Sequence, residues 1–259
     1  MDGKIYNKII SKKEFSNLIK KDVEIAFKNF DKTHYIDEEK VKKTRDLLRK
    51  AFSVFGSGKL LNFKIVDKKE IEEILKKHIS TRERFEYYSE LYGKLLKGIK
   101  DPCIIDLGCG VNGLSYNYFK KKTCYVGVES VGQFVKLNNY YFKKEKIKGG
   151  KSIQASLFDL VKIKEIILKE KKPKILFLFK VIDSLEMLEK NYSKELLKEI
   201  VPLVERVVVS FATESLVSRK RFRVKRYWFE NFVKENFEVL ADFNLGGERY
   251  ISFKNKKFL

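Results

Sequence analysis

IIDLGCG, residues 104–110, places Asp106 at the end of a short apolar run and two glycines, Gly108 and Gly110, directly after it. Ligands of open α/β sheets sit at the carboxyl ends of the strands, and glycines there let the backbone approach a ligand closely. A carboxylate beside such a loop can accept hydrogen bonds from an ammonium group. The motif is DxGxG and lacks the full G-x-G-x-x-G dinucleotide fingerprint, since Val111, Asn112 and Gly113 follow. Glu129 closes a second apolar run, CYVGVE, where a strand-terminal acid is placed to accept both hydroxyls of an adenosine ribose. Asp159, in LFDL, ends a third run and is expected to receive an adenine amino group, with Leu160 as an apolar contact. Asp is also a favoured helix N-cap, so a capping role is the alternative.

Elements that would position these groups follow from the pattern of apolar residues. From residue 101 onward, strands alternate with helices. CIIDLG, CYVGVE, SIQASLFD (152–159), KILFLFK (174–180) and VERVVVSFA (204–212) read as strands, and KILFLFK is apolar enough for a parallel strand buried on both faces. Helices are expected at about 131–143, 160–170, 184–198 and 225–235. FEVLADFNL and ERYISFKNK, separated by Gly246 and Gly247, form a hairpin. The result is a seven-stranded α/β sheet, Rossmann-like, with one antiparallel edge strand. Before residue 97 the chain reads as helical. Phe15, Leu18, Ile19, Val23, Phe27 and Phe30 stripe a helix over 11–30, a second spans 37–52 before the glycine-containing break VFGSGKL, and a third spans 68–77. In HISTRER, Ser80 or Thr81 can cap a helix and Glu83, three residues after Ser80, completes a capping box, opening a helix that turns Phe85, Tyr88, Leu91, Tyr92 and Leu95 inward. Two domains are expected, a helical one over 1–97 and the sheet over 98–259.

Charge points to the partner. There are 56 Lys+Arg against 35 Asp+Glu, a formal charge of +21, which favours a polyanion such as RNA. The abundance of Lys, Glu and Ile also fits a hot habitat. Arg219, Lys220, Arg221, Arg223, Lys225 and Arg226 cluster in SLVSRKRFRVKRYWFE, between the fifth strand and a late helix, where a loop borders the ligand site and can bind phosphates. Cys103, Cys124 and Cys109 lack zinc-ligand spacing and there are two histidines, so no metal site is expected. The odd cysteine count fits a reducing interior. Cys109 reads as packing, and His34 and His78 as structural or surface residues. No segment has signal-peptide or membrane-spanning character, so a cytoplasmic monomer is expected.

The sheet and glycine loop resemble class I S-adenosylmethionine-dependent methyltransferases. HISTRER at 78–84, DLGCGVNGL at 106–114, FKVIDSLE at 179–186, SFATESL at 210–216, YWFE at 227–230 after a basic run, and GGERYISF at 246–253 narrow this further. In that order they resemble blocks of the aminoglycoside-resistance 16S ribosomal RNA (guanine-N7) methyltransferases, over about residues 70–254. The resemblance implies methyl transfer from S-adenosylmethionine to guanine N7 in the decoding region of the small ribosomal subunit. It implies that Arg82 or Arg84 lies near the methionine carboxylate, that Asp106, Gly108 and Gly110 hold the amino-acid end, and that Glu129 and Asp159 serve ribose and adenine. It further implies that Lys180 and Glu186 act at the cofactor and target side and that the N-terminal helices dock rRNA. Two departures stand out: Asn112, Gly113, Leu114 where the family has Asn-Pro-Leu, and Asp183 at an apolar or proline position. The rival readings are a class I methyltransferase acting on another RNA, a protein or a small molecule, and an RNA-binding protein whose catalysis is lost.

Overall fold

The computed structural model describes residues 1–32, 34–52, 68–119, 123–213 and 226–256. The break expected at VFGSGKL lies outside these residues.

Three helices open the chain: α1 (Gly3–Ile10), α2 (Lys20–Asp31) and α3 (Asp37–Ala51). In α3, three acids occupy the first turn and Arg49 and Lys50 the last, complementing the helix dipole. Val41, Thr44, Leu48 and Ala51, spaced three and four apart, form its buried face. The helix expected over 11–30 is shorter than its stripe. Ser11 and Ser16 hydroxyls donate to the carbonyls of Lys8 and Lys13, and these local bonds compete with helical continuation. Residues 11–18 therefore form turns, yet Phe15 and Leu18 remain buried. The preceding α1, capped by Asp2 onto the Lys4 N–H at 3.1 Å, was not expected from its polar sequence.

Next come α4 (Lys68–Lys77), the short α5 (Ile79–Arg82), a 3₁₀ turn at Phe85–Tyr87, and α6 (Tyr88–Leu95). Phe85, Tyr88, Leu91, Tyr92 and Leu95 are buried as their spacing predicts. The capping box does not form. Thr81 Oγ1 instead donates to the Leu75 carbonyl at 2.7 Å, and His78 occupies the N-cap position. In α6 the Tyr92 ring stacks on Phe119 at 4.0 Å between centroids.

The strands are β1 (Cys103–Leu107), β2 (Cys124–Glu129), β3 (Gly150–Gln154), β4 (Lys174–Phe179), β5 (Arg206–Ala212), β6 (Phe237–Leu245) and β7 (Glu248–Asn255). Between them lie α7 (Gly132–Lys144), α8 (Leu160–Lys169), α9 (Ile182–Leu188), α10 (Tyr192–Ile200) and α11 (Tyr227–Asn236), with 3₁₀ turns at Asn112–Tyr118 and Val201–Leu203. One sheet runs in the order β3-β2-β1-β4-β5-β7-β6. The first five strands are parallel; β1 and β4, at its centre, are buried throughout. β7 is the antiparallel strand, but it is inserted between β5 and β6 rather than lying at the edge. Its hairpin turns on Gly246 and Gly247, at φ 60° and 80°, where two successive left-handed residues match the twist of the flanking strands.

Two boundaries differ from the sequence expectation. β3 stops at Gln154, because Ser156 folds the chain into a turn, its carbonyl accepting the Asp159 N–H and its hydroxyl the Phe158 N–H. The helix expected at 184–198 is two, broken at Asn191, whose φ of 67° is left-handed. Cys103 and Cys124 open β1 and β2 in register and are joined by a disulfide, which departs from the reducing interior expected from the odd cysteine count; Cys109, buried, is a free thiol. No helix among the described residues is long and apolar enough to cross a membrane.

Candidate active site

A cavity of about 380 Å³ opens at the carboxyl ends of the parallel strands. This is where the crossover topology splays the loops apart, β1 connecting toward β2 on one side and β4 toward β5 on the other. Its β1–β2 side is the glycine loop and the end of β2. Gly108 and Gly110 have φ of 69° and 51°; a Cβ on Gly108 would lie 2.7 Å from the Val181 side chain, and one on Gly110 would press on the His78 ring at 3.3 Å. Both the backbone conformation and the space therefore demand glycine. Glu129 receives the Gly110 N–H on Oε2 at 2.8 Å and the Val131 N–H on Oε1 at 2.9 Å, so it is aimed across the loop. Burial lifts its carboxyl pKa to about 7 against the pull of those two N–H groups.

Asp106 stands behind the loop. Its Oδ2 accepts Asn112 Nδ2 at 2.7 Å and the Tyr125 hydroxyl at 2.6 Å. Asn112 in turn accepts from Arg84 and from Tyr88, which fixes the loop against α6. Arg84 is 1% exposed and pairs with Glu248 at 3.1 Å; Arg82 is exposed. Glu248 also holds Lys180 at 3.1 Å and accepts the Ser210 hydroxyl, while Glu83 is the second partner of Lys180. Two cations and two carboxylates, from the turn after α5, the residue following β4 and the start of β7, thus form one charge-balanced network. Lys180 borders the cavity at φ 60°, a left-handed conformation rare for a side chain of its size and of the kind held at functional sites.

His78 is 4% exposed and borders the cavity beside Gly110, and neither ring nitrogen has a hydrogen-bond partner among the described residues. Burial, together with the Arg84 and Lys180 charges, pushes its pKa down to about 3, so the imidazole is neutral. On the β4–β5 side the cavity is bordered by Asp183 and Arg226, a bidentate pair at 3.0 and 2.6 Å. The guanidinium also covers the Phe211 ring at 4.6 Å. The remaining wall comes from the N-terminal helices, through Asp22 of α2 and Lys50 and Ala51 of α3.

The expected site residues therefore divide. Gly108, Gly110, Glu129, Lys180 and Arg226 border one cavity. Arg82, Arg84, Asp106, Asp159, Leu160 and Glu186 do not. Asp159 caps α8 by accepting the Lys162 N–H at 3.3 Å, since β3 ended five residues earlier, and Leu160 is the first residue of that helix. Glu186 faces the break between α9 and α10, where it accepts the N–H groups of Asn191 and Ser193 and the Ser193 hydroxyl. It satisfies backbone donors left open at the start of α10, which explains its spacing from Lys180 without chemistry. Arg219, Lys220, Arg221, Arg223 and Lys225 lie outside the described residues. Asp22, His78 and Glu248 were missed as site residues. His78 and Glu248 stand inside quoted blocks, HISTRER and GGERYISF, so position in those blocks was an available signal; for Asp22 there was none.

Residues 32–245 match the model of the ribosomal RNA methyltransferase family FmrO. No curated protein matches the chain in sequence. Among solved structures, the 16S rRNA methyltransferase RmtF in complex with S-adenosyl-L-homocysteine is similar at a TM-score of 0.75 and 20% identity, over 99% of this chain and 100% of that one. The 16S rRNA methylase RmtB is similar at 0.77 and 18%, over 98% of each chain. An rRNA methylase from Escherichia coli gives 0.69 and 17%, over 98% and 99%. At these identities the structural likeness establishes the class I methyltransferase fold, and the family match extends well beyond half of the chain. The chain belongs to the FmrO family of ribosomal RNA methyltransferases, enzymes that depend on S-adenosylmethionine.

Proposed function

We propose that this enzyme methylates N7 of a guanine in the decoding region of small-subunit rRNA, acting on the assembled 30S particle. The observation that carries the reading is the two-sided cavity. On one side are a glycine loop and a ribose-type acid; on the other are Lys180 and the Asp183–Arg226 pair, from which the basic segment 219–226 departs.

The residues present fit S-adenosylmethionine. The glycines clear space beside His78, whose unpartnered nitrogens can donate one hydrogen bond and accept another. Each Glu129 oxygen takes one N–H and keeps a lone-pair site for a ribose hydroxyl. When bound, the cofactor supplies an electrophilic sulfonium methyl. Guanine N7 carries a free lone pair on the major-groove edge, so attack needs no prior loss of a proton. The protein's work is then orientation and electrostatics. Neutral His78 adds no positive charge beside a cationic donor, and Glu83 and Glu248 balance Lys180. Arg226 and the basic residues 219–225 hold rRNA phosphates, and the helical part, 1–97, docks the rRNA against the 98–259 methyltransferase part. The enzyme works as a cytoplasmic monomer.

Incubation with methyl-labelled cofactor and 30S subunits, free 16S rRNA, tRNA or ribosomal proteins tests this. Label should enter 16S rRNA best in the intact subunit, and borohydride–aniline cleavage should mark one N7-methylguanine. Label confined to tRNA or protein overturns the substrate assignment; label in 16S rRNA that resists cleavage overturns the N7 assignment.

A further inference from the structure

We propose that Asp22, supplied by the helical N-terminal part, recognises the adenine amino group of the cofactor, in the place where Asp159 was expected; this rests on the cofactor reading above. Asp22 lies in the first turn of α2, outside the residues that the family model matches, and is 1% exposed while bordering the cavity. Its Oδ1 accepts the Ser156 hydroxyl and its Oδ2 the Ser130 hydroxyl. Ser130 follows Glu129 at the end of β2, and Ser156 stands in the turn after β3. An aspartate from the N-terminal helices is thereby anchored to the two loops that flank the β2–β3 end of the cavity.

Topology assigns the part of the ligand that reaches it. The strand order places the glycine loop of β1, Glu129 of β2 and the β3 turn in succession along the carboxyl ends. A nucleoside whose ribose meets Glu129, with its amino-acid end at the glycines, directs its base toward the β3 turn. Leu157, Phe158 and Leu188 offer apolar walls there. The polar group at that end is Asp22, because Asp159 caps α8.

A carboxylate has about four lone-pair sites and the serines use two, so two remain for a donor. Among the described residues no cation pairs with Asp22. Burial raises its pKa while the two serine hydroxyls and, less strongly, the Lys21 charge oppose that rise, and an N–H donor from the ligand would act in the same direction as the serines. The 6-amino group of adenine is such a donor; a 6-oxo group is not.

The test compares binding of S-adenosylhomocysteine and S-inosylhomocysteine by calorimetry, which needs no methyl transfer. The wild type should prefer the adenosyl compound by about a hundredfold or more, as a site built around a hydrogen-bond donor rejects an analogue lacking it. Asp22→Asn keeps the shape but can turn an N–H toward a 6-oxo group, and should bring the two affinities within about threefold. Asp159→Asn, which preserves the cap, should retain the wild-type ratio. A wild type that binds both compounds equally, or an Asp22→Asn variant that keeps the full preference, overturns the assignment. Collapse of the preference in Asp159→Asn does the same. Failure of the wild type to bind S-adenosylhomocysteine at all overturns the cofactor reading itself, and the inference with it.

Discussion

Glu248→Gln removes one charge from the centre of the buried network while keeping the side chain's shape and its bond from Ser210. Glu248 is fully buried and is the carboxylate partner of Arg84, itself 1% exposed; it is also one of two carboxylates on Lys180. After the substitution Lys180 retains Glu83, but Arg84 keeps only neutral acceptors, on Ser80 and Asn112. Leaving a buried cation without its counter-charge costs about 3–5 kcal/mol. That is a fifth or more of the roughly 5–15 kcal/mol that holds an ordinary domain folded. With a urea slope of about 3 kcal/mol per molar for a chain of this size, the midpoint should fall by about 1–1.7 M. The control is Glu199→Gln, which breaks the exposed Lys164–Glu199 pair and should cost at most about 1 kcal/mol. Adding Arg84→Met to Glu248→Gln removes the orphaned cation and should recover at least about 1 kcal/mol. A Glu248→Gln midpoint no lower than that of Glu199→Gln, or a double variant that is additive, refutes the claim that these charges act as one unit.

His78→Phe should lower S-adenosylhomocysteine affinity by about tenfold in calorimetry while leaving the urea midpoint unchanged or raised, since two unpartnered buried nitrogens are lost with the ring's shape kept. Binding should also weaken by about tenfold between about pH 8 and pH 6, because Glu129 with its pKa at about 7 loses the ionised form that accepts ribose hydroxyls; a flat profile rejects that role. The same group has a stability consequence of definite sign. Its pKa is raised in the folded state, which therefore binds more protons than the unfolded chain between about pH 4.5 and 7, so its contribution to stability falls as pH rises through that window. Glu129→Gln should flatten this part of the urea-midpoint profile. Glu186→Ala should cost about 1 kcal/mol through loss of its cap on α10 and leave cofactor affinity unchanged; a large loss of affinity with intact stability would return Glu186 to the binding site.

Much of the fold was legible because burial on both faces leaves a plain signature. β1, β2 and β4 read as predominantly apolar runs, and β2 matches its expected span of Cys124–Glu129. Gly246 and Gly247 marked the hairpin because few other residues tolerate two left-handed positions in succession. The misread boundaries share a cause. Ser11, Ser16 and Ser156 end or divert elements by side chain to backbone bonds, which apolar periodicity does not register. Asn191 breaks a helix in the middle of an otherwise continuous amphipathic pattern.

Within the site, the amino-acid sequence by itself determined the residues whose role is local. Gly108 and Gly110 are required by the conformation of their own loop, and Glu129 is carried to the cavity by the strand it ends. Tertiary structure decided the rest. Asp159 and Glu186 have the right chemistry at plausible spacing, but each faces a helix start whose open N–H groups lie closer than the cavity. Asp22 has no local signature, because its environment is assembled from residues 22, 130 and 156, three segments that meet only when α2 packs over the ends of β2 and β3. The same holds for Lys180, whose charge is balanced by Glu83 from the turn after α5 and Glu248 from β7. A carboxylate's partner is set by distance and burial in three dimensions, and neither is encoded in the spacing of residues along the chain.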